Sequence, residues 1–116
     1  MKQNLSVGVD CIETNRFKNV ISDQKLLRKI FTSNEIQYCS SHRSPLECFS
    51  ARFAGKEAVL KATETTIGLN KIEITNAKDG RPMVNMLVSK YKNYCLKISL
   101  SHTKDIAMAF VLAYKE

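Results

Sequence analysis

Hydrophobic and polar residues alternate with a period of two in five stretches of this chain, which predicts five strands. In the first stretch, residues 5–12, one face carries Leu5, Val7, Val9 and Cys11, and the other carries Ser6, Gly8 and Asp10. The remaining stretches are residues 71–75, 83–86, 96–101 and 106–114. In the last of these, large side chains occupy one face and small side chains the other.

Between the first strand and the last four, the apolar spacing is helical. Short helices are predicted over residues 12–19 and 23–30, and a third after an N-cap at Thr32 or Ser33 with Glu35 nearby. The chain breaks at residues 40–45, and a long helix then runs from Pro45 or Leu46 to about Thr65. This order predicts an α+β fold, with a mostly antiparallel sheet packed against the long helix.

Turn residues separate the later strands. The Asp79-Gly80 pair is the signal of a tight turn between residues 71–75 and 83–86. Residues 89–94 are polar and predict a loop, and residues 102–105 predict a short hairpin connection between the last two strands.

The long helix has an unusual distribution of charge over Arg52–Ala62. At about 100° per residue, Arg52 and Lys56 fall on one stripe and Glu57 and Lys61 on a second. The remaining side has small residues, where a sheet or helix can approach closely, namely Gly55, Ala58 and Ala62. The charges flank either a cleft or a plain solvent face, on which Glu57 and Lys61 would form an i,i+4 pair worth about 0.2–0.5 kcal/mol.

Length and charge narrow the class of protein. The 116 residues fit one domain, residues 1–116, and the net charge of +7 predicts an anionic partner. The four cysteines form no C-x-x-C pair, so neither a zinc ribbon nor a redox motif is indicated. No apolar signal segment follows the first four residues and no apolar run reaches about 18 residues, so we expect a cytoplasmic protein with reduced thiols and no membrane span.

Two carboxylates are candidates for a metal site. Asp10 stands near the end of the first strand, where it is either an N-cap, with Glu13 at capping-box spacing, or a metal ligand. Glu57 lies on the long helix, and hard oxygen ligands beside basic residues suit a magnesium-bridged phosphate. The remaining phosphate charge would be neutralised by Arg52, Lys56 and Lys61.

Other candidate residues carry weaker signals. His102 opens a turn after an alternating strand, where side chains usually meet ligand or solvent, although an isolated histidine there is more often a simple turn residue. His42 and Arg43 lie in a polar loop and receive no role. The chain has no Gly-rich phosphate loop, RNP-like run or helix-turn-helix signature, so the sequence does not favour nucleic acid as the partner.

Five ordered motifs resemble one known family. They are Gly8-Val9-Asp10-Cys11-Ile12-Glu13, Phe31-Thr32-Ser33-Asn34-Glu35, Arg52-Phe53-Ala54-Gly55-Lys56-Glu57-Ala58 with Lys61-Ala62, Asp79-Gly80-Arg81-Pro82, and Ser99-Leu100-Ser101-His102-Thr103. Together they are similar to the holo-[acyl-carrier-protein] synthases, the small 4'-phosphopantetheinyl transferases. The sequence departs from the usual pattern at Cys11 and Gly55, and neither residue is a proposed ligand.

The resemblance implies a magnesium-dependent transfer of 4'-phosphopantetheine from coenzyme A to a serine of apo acyl carrier protein, in fatty acid biosynthesis. Asp10 and Glu57 match the metal ligands, and a metal-bound water or Glu57 could accept the serine proton. Lys61 matches a lysine beside the leaving group. Nucleotide-binding positions are matched by Arg52, Arg81, Pro82, His102 and Thr103.

The resemblance also implies how the protein assembles and docks. Family members are typically trimers whose active sites lie between subunits, with the metal side on one protomer and part of the nucleotide side on its neighbour. Arg16, together with Lys25 and Arg28, matches basic positions that dock the acidic carrier protein. The alternative from another functional class is a non-enzymatic basic module that binds RNA or an acidic protein.

Overall fold

The structure, a computed structural model, describes residues 4–115 and has its secondary structure in the predicted order. The expectation that the chain has no signal segment concerns its N-terminal residues, of which residues 1–3 lie outside the described residues. The strands are β1 (Leu5–Glu13), β2 (Ile72–Asn76), β3 (Pro82–Met86), β4 (Tyr94–His102) and β5 (Ile106–Lys115). The helices are α1 (Lys18–Ile21), α2 (Gln24–Ile30), α3 (Ser33–Ser40) and α4 (Pro45–Thr63), with 3-10 turns at Thr14–Phe17, Leu69–Lys71 and Ser89–Tyr91.

Local side-chain contacts explain where the helices begin. The Asp23 carboxylate accepts a hydrogen bond from the Leu26 backbone N–H and caps α2. Thr32, one of the two predicted candidates, is the N-cap of α3, and it forms a capping box with Glu35. Pro45 begins α4 in the first helical position, where its missing N–H breaks no helical hydrogen bond.

The predicted antiparallel pairing is confirmed, but the strands form two sheets. One has three strands in the order β1-β5-β4, and the other pairs β2 with β3. Strand β1 continues to Glu13, so the prediction of a helix beginning at Ile12 is wrong. The N-cap interpretation of Asp10 is wrong as well, because Asp10 lies inside β1 and pairs with Ala109.

Helix α4 packs on the three-stranded sheet through small residues. A Cβ on Gly8 would overlap the Ala58 carbonyl oxygen and lie 2.8 Å from the Ala62 nitrogen. The core cluster at this contact includes Ala54, Ala58, Ala62, Ala109, Val111 and Ala113. The small side of α4 is therefore the packing side, as the sequence predicts.

The opposite face of this sheet is apolar and exposed. The large residues of β1 and β5 point away from α4, and the paired residues Val9 and Phe110 are 54% and 47% exposed. The same face carries Leu5, Val7, Ile106 and Met108, all exposed. Helix α4 approaches the sheet too closely for large side chains, so these lie on the outer face.

No helix of residues 4–115 is long and apolar enough to cross a membrane.

Candidate active site

Asp10 and Lys61 meet at the edge where β1 crosses α4. The Lys61 ammonium donates to the Asp10 carboxylate at 3.2 Å and to the Val9 carbonyl at 2.9 Å. The Asp10 side chain is 19% exposed and the Lys61 side chain 57%. The second carboxylate oxygen of Asp10 makes no hydrogen bond with residues 4–115, which leaves it available to a cation.

Strand β1 runs along α4 in the opposite direction. The Ser6 hydroxyl donates to the Ala62 carbonyl, and two residues later Gly8 lies against Ala58. Each step of two residues along the strand therefore corresponds to about one turn backward along the helix. This register brings Asp10 level with the helical turn that precedes Ala58.

Glu57 lies in this part of α4, one turn before Lys61 on the same stripe. Its side chain is half-buried and makes no hydrogen bond or ion pair within residues 4–115. The predicted i,i+4 pair of Glu57 with Lys61 does not form, because Lys61 reaches Asp10 instead. A partly desolvated carboxylate without a protein partner is costly unless a cation binds it.

The predicted nucleotide-binding residues Arg52, Pro82 and His102 line one cleft of about 190 Å³. Helix α4 supplies Arg52, the start of β3 supplies Pro82, and the end of β4 supplies His102. The remaining lining residues are Tyr38, His42, Cys48, Ala51, Asn76, Gly80 and Leu100. The fold thus brings together three residues that are widely separated in the sequence.

Arg52 is the buried cation of this cleft. It is only 4% exposed, and its Nη2 donates to the Asn76 side-chain oxygen at 2.5 Å. The centre of its guanidinium lies 4.5 Å from the centroid of the Tyr38 ring, which is a cation–π contact. Its Nε is buried and has no hydrogen-bond partner within the described residues. A buried guanidinium with an unused donor is suited to an anionic ligand.

The predicted nucleotide-binding residues His102, Thr103 and Arg81 differ in their contacts and in their distance from this cleft. Nδ1 of His102 is 2.9 Å from the Glu47 carboxylate, in the first turn of α4. The Thr103 hydroxyl accepts hydrogen bonds from the backbone N–H groups of Asp105 and Ile106, so it shapes the hairpin. Arg81 is exposed and belongs to a neighbouring groove that also includes Pro82.

The prediction that Lys56 neutralises a bound phosphate is wrong, because Lys56 does not lie at the candidate site. Its side chain is fully buried and paired with Glu35 at 2.5 Å, and its ammonium also donates to the carbonyls of Leu69 and Ile72. All three ammonium donors are used, so none remains for an external phosphate. Burial lowers the pKa of Lys56, and the nearby Glu35 carboxylate opposes this effect.

The two groups of candidate residues lie on different sides of α4. Arg52 and Glu57 are five residues apart, which separates them by about 140° around the helix axis. Correspondingly, the cleft that contains Arg52 includes none of Asp10, Glu57 and Lys61. We call Asp10, Glu57 and Lys61 the carboxylate group, and Arg52, Pro82 and His102 the cleft group.

The predicted docking residues are exposed on the early part of the chain. Arg16 lies in the 3-10 turn that follows β1, and Lys25 and Arg28 lie on α2. Their side chains make no ion pair with any of residues 4–115. The three cations are therefore available to an external acidic surface.

Sequence reasoning missed Tyr38, Asn76 and Glu47, which hold the cleft group in place. No local pattern distinguishes these residues, since each acts on a residue far away in the sequence. Cys48 was also missed; it lines the cleft and lies beside Cys39 of α3. A hydrogen bond from the Cys39 thiol lowers the pKa of Cys48; burial opposes this effect, and the nearby Arg52 adds to it. The hydrogen bond to Cys48, together with burial, raises the pKa of Cys39.

Comparisons of this chain with a family model and with known proteins agree on one family. A family model described as the 4'-phosphopantetheinyl transferase superfamily matches residues 6–111. The chain is 42% identical to a holo-[acyl-carrier-protein] synthase of Thermodesulfovibrio yellowstonii, over 91% of this chain and 95% of that one. It is 38% identical to the synthase of Cytophaga hutchinsonii, over 94% of this chain and 96% of that one.

A solved structure is similar over nearly the whole chain. It is a holo-(acyl-carrier-protein) synthase of Bacillus anthracis in complex with CoA (3',5'-ADP). The two chains superpose with a TM-score of 0.86 at 27% identity, covering 99% of this chain and all of that one. The α+β fold, with antiparallel sheets and a long helix, is thus that of a known enzyme structure.

Proposed function

The chain belongs to the holo-[acyl-carrier-protein] synthases of the 4'-phosphopantetheinyl transferase superfamily, and from this premise we propose how its residues perform the transfer. It is a phosphopantetheinyl transferase that moves 4'-phosphopantetheine from coenzyme A to a serine of apo acyl carrier protein. We propose that residues 1–116 form one synthase domain, which acts in the cytoplasm in fatty acid biosynthesis. The observation that carries it is the cleft with a buried, partly unpaired Arg52.

The reaction replaces the pyrophosphate (phosphoanhydride) bond of coenzyme A by a phosphate ester of serine. The serine oxygen forms a bond with the phosphorus that carries pantetheine, and the bond from this phosphorus to the bridging pyrophosphate oxygen breaks. Adenosine 3',5'-bisphosphate leaves with the electron pair of that bond. The site must accept the serine proton and stabilise negative charge on the leaving phosphate.

The carboxylate group fits a magnesium ion. Glu57 has no protein partner and Asp10 has an unused oxygen, so both can supply the hard oxygen ligands that magnesium prefers. No group of three or more potential metal-binding side chains occurs within residues 4–115, which fits an ion that takes its other ligands from phosphate and water. When bound there, magnesium would offset the charge of the pyrophosphate.

Lys61 and Glu57 would carry out proton and charge transfer at this edge. The exposed Lys61 ammonium can move from Asp10 to the leaving phosphate, where it neutralises or protonates the oxygen. The serine proton is accepted by Glu57 or by a water beside it.

The cleft group would bind the nucleotide. Arg52 and His102 offer donors to the 3'-phosphate, while Pro82 and the nearby Arg81 would contact the adenine. The Thr103 hydroxyl lies at the hairpin beside His102. The Nη1 of Arg52 supports this assignment, since it makes no hydrogen bond within the described residues and a phosphate oxygen would give it a partner.

A trimer would join the carboxylate group of one protomer to the cleft group of the next. Two observations support this assembly. The two groups lie on different sides of α4, and the three-stranded sheet exposes a continuous apolar face. Exposed apolar faces of this kind mark protein–protein contacts. Contact through this sheet face would bury Val9 and Phe110 and bring neighbouring chains close together.

The carrier protein would dock on Arg16, in the 3-10 turn that follows β1, and on Lys25 and Arg28 of α2. These cations are exposed and lack protein partners within the described residues. Attraction between them and an acidic carrier would speed the encounter and set its orientation more than it adds affinity.

Mass spectrometry of an apo acyl carrier protein tests the reaction directly. Incubation with this protein, coenzyme A and magnesium should add one phosphopantetheine group to the carrier and release adenosine 3',5'-bisphosphate. A carrier whose acceptor serine is replaced by alanine is the matched control and should remain unmodified. A protein that binds the carrier or RNA yet modifies none of several apo carriers would instead support the non-enzymatic alternative.

A further inference from the structure

Asn76 connects the buried Arg52 to the turn between β2 and β3. Its side-chain oxygen accepts from Arg52 Nη2 at 2.5 Å, and its side-chain nitrogen donates to the Gly80 carbonyl at 2.9 Å. A guanidinium can only donate and a carbonyl can only accept, so these partners fix the orientation of the amide. Asn76 is the last residue of β2 and lies opposite Pro82 in the strand pairing.

The turn that Asn76 holds is itself closely constrained. The Gly80 backbone N–H donates to the Ala77 carbonyl, and the Ala77 N–H donates to the Arg81 carbonyl. Gly80 has a φ of 90°, a conformation that glycine adopts readily and other residues rarely do. One side chain thus links α4 to the segment that carries Arg81 and Pro82.

Asn76 and Tyr38 together restrict the guanidinium of Arg52 on two sides. Asn76 takes one terminal nitrogen, and the Tyr38 ring lies against the face of the group. Nη1 makes no hydrogen bond with residues 4–115 and remains for a ligand, whereas Nε is buried without a partner. A planar fork held in this way can bind an anion without losing much rotational freedom.

We propose that Asn76 is a positioning residue that holds Arg52 for the 3'-phosphate and so sets the preference for coenzyme A over 3'-dephospho-coenzyme A. This inference rests on the proposed function, in which Arg52 binds that phosphate. The side chain of Asn76 bonds to Arg52 and Gly80 and to none of Asp10, Glu57 and Lys61, so its effect is on binding of the nucleotide and not on the chemical step.

Calorimetric titration with adenosine 3',5'-bisphosphate and with AMP tests this role without carrier protein or turnover. The wild type should bind the bisphosphate more tightly. In Asn76→Ala the guanidinium loses its anchor, and in Asn76→Asp a new carboxylate competes with the phosphate for it. Both variants should lose roughly tenfold of the preference, since one charge-assisted hydrogen bond is affected. Binding of AMP should change little.

Steady-state kinetics gives a second readout. KM for coenzyme A should rise in both variants, whereas kcat, and KM for 3'-dephospho-coenzyme A, should stay near the wild-type values. Asn93→Asp and Asn93→Ala are matched controls, because Asn93 is exposed in the turn before β4 and should leave both substrates unaffected. If Asn76→Ala does not fold, the isosteric Asn76→Asp retains the shape of the side chain and carries the test.

Two results would overturn the proposal. Equal weakening of both nucleotides would show that Asn76 only supports the fold of the turn, and an unchanged preference would show that Arg52 does not need it. In an Arg52→Lys background, Asn76→Asp should have no further effect on the preference. Failure of the transfer reaction in the wild type would contradict the proposed function instead, and is distinguished because the titrations do not depend on turnover.

Discussion

Gly8 of β1 lies directly against the carbonyl of Ala58 in α4, with no space for a side chain between strand and helix. Two positions before it, the Ser6 hydroxyl donates to Ala62, and two positions after it, Asp10 accepts from Lys61. The close approach at Gly8 thus places Asp10 within reach of the charged stripe of α4. A glycine in the strand interior is the condition for the carboxylate group to form.

Gly8→Ala should therefore reduce the stability of the protein severely. The added methyl group would overlap backbone atoms of α4, which cannot rotate away, so the helix must shift. Overpacking of this kind costs about 1–3 kcal/mol or more. Urea denaturation would measure the loss in the free energy of unfolding. Gly68→Ala is the matched control, because its Cβ would meet only the flexible side chains of Asn70 and Lys71.

Lys56→Met should cost about 3–5 kcal/mol of stability, because it leaves the buried Glu35 carboxylate without its charge partner. Denaturation of Lys61→Met gives the comparison. Lys61 is largely exposed, so loss of its pair with Asp10 should cost no more than about 1 kcal/mol. Similar losses in the two variants would contradict the structural role of Lys56.

Glu57→Gln should strongly reduce magnesium-dependent turnover and leave the fold intact. Glu57 makes no hydrogen bond within residues 4–115, so its replacement should change the free energy of unfolding by less than about 0.5 kcal/mol. We expect kcat to fall on the order of 100-fold or more with loss of a metal ligand, and Asp10→Asn should behave similarly.

Removal of the metal gives the corresponding result in the wild type. EDTA should stop the transfer and added magnesium should restore it, as followed by mass spectrometry of the carrier. Glu13→Gln, an exposed acid at the end of β1, is the control and should retain activity. Full activity of Glu57→Gln, or of the chelated enzyme, would refute the metal assignment.

Arg16→Glu should raise the apparent KM for the carrier protein and leave the affinity for coenzyme A nearly unchanged. The side chain is exposed and unpaired within the described residues, so reversing its charge alters attraction to the carrier and not the fold. The effect should decrease at high salt, because exposed charges are screened. Lys90→Glu makes the same change of charge on the 3-10 turn before β4 and should have no such effect.

Phe110→Lys should separate the proposed trimer into monomers. A charge at the centre of the exposed sheet face would be buried at the interface without a partner, which disfavours assembly. Analytical ultracentrifugation would measure the mass. Leu87→Lys is the control, because Leu87 is similarly exposed at 45% but lies outside the three-stranded sheet. A wild type that sediments as a monomer at micromolar concentration would contradict the assembly itself.

The sequence was least informative about which face of a strand is buried. Alternation correctly separated Leu5, Val7 and Val9 from Ser6 and Gly8, but the apolar set lies on the exposed side of the sheet. The packing partner decides this outcome: the small side of α4 requires small residues opposite it. Side-chain size, and not polarity, determined the buried face.

Lys56 and Arg52 show a second limit. They share one stripe of α4, and both were predicted to neutralise phosphate charge. Yet Lys56 is neutralised by Glu35, whereas Arg52 retains an unused donor. Glu35 was recognised only as a helix cap, which it also is. Its second function depends on the packing of α3 against α4, and no local pattern encodes that contact.

By itself, the sequence determined the order of the elements, the start of α3 at a Thr32 or Ser33 N-cap, the Asp79-Gly80 turn and the family, because these depend on short-range spacing. Only the tertiary structure decided which charged residues meet. It brought Asp10 to Lys61, Arg52 to Asn76 and His102 to Glu47, and it placed the carboxylate group and the cleft group on different sides of α4. The physical reason is that long-range contacts follow from how closely helix and sheet can pack, which Gly8 and the alanines of α4 control.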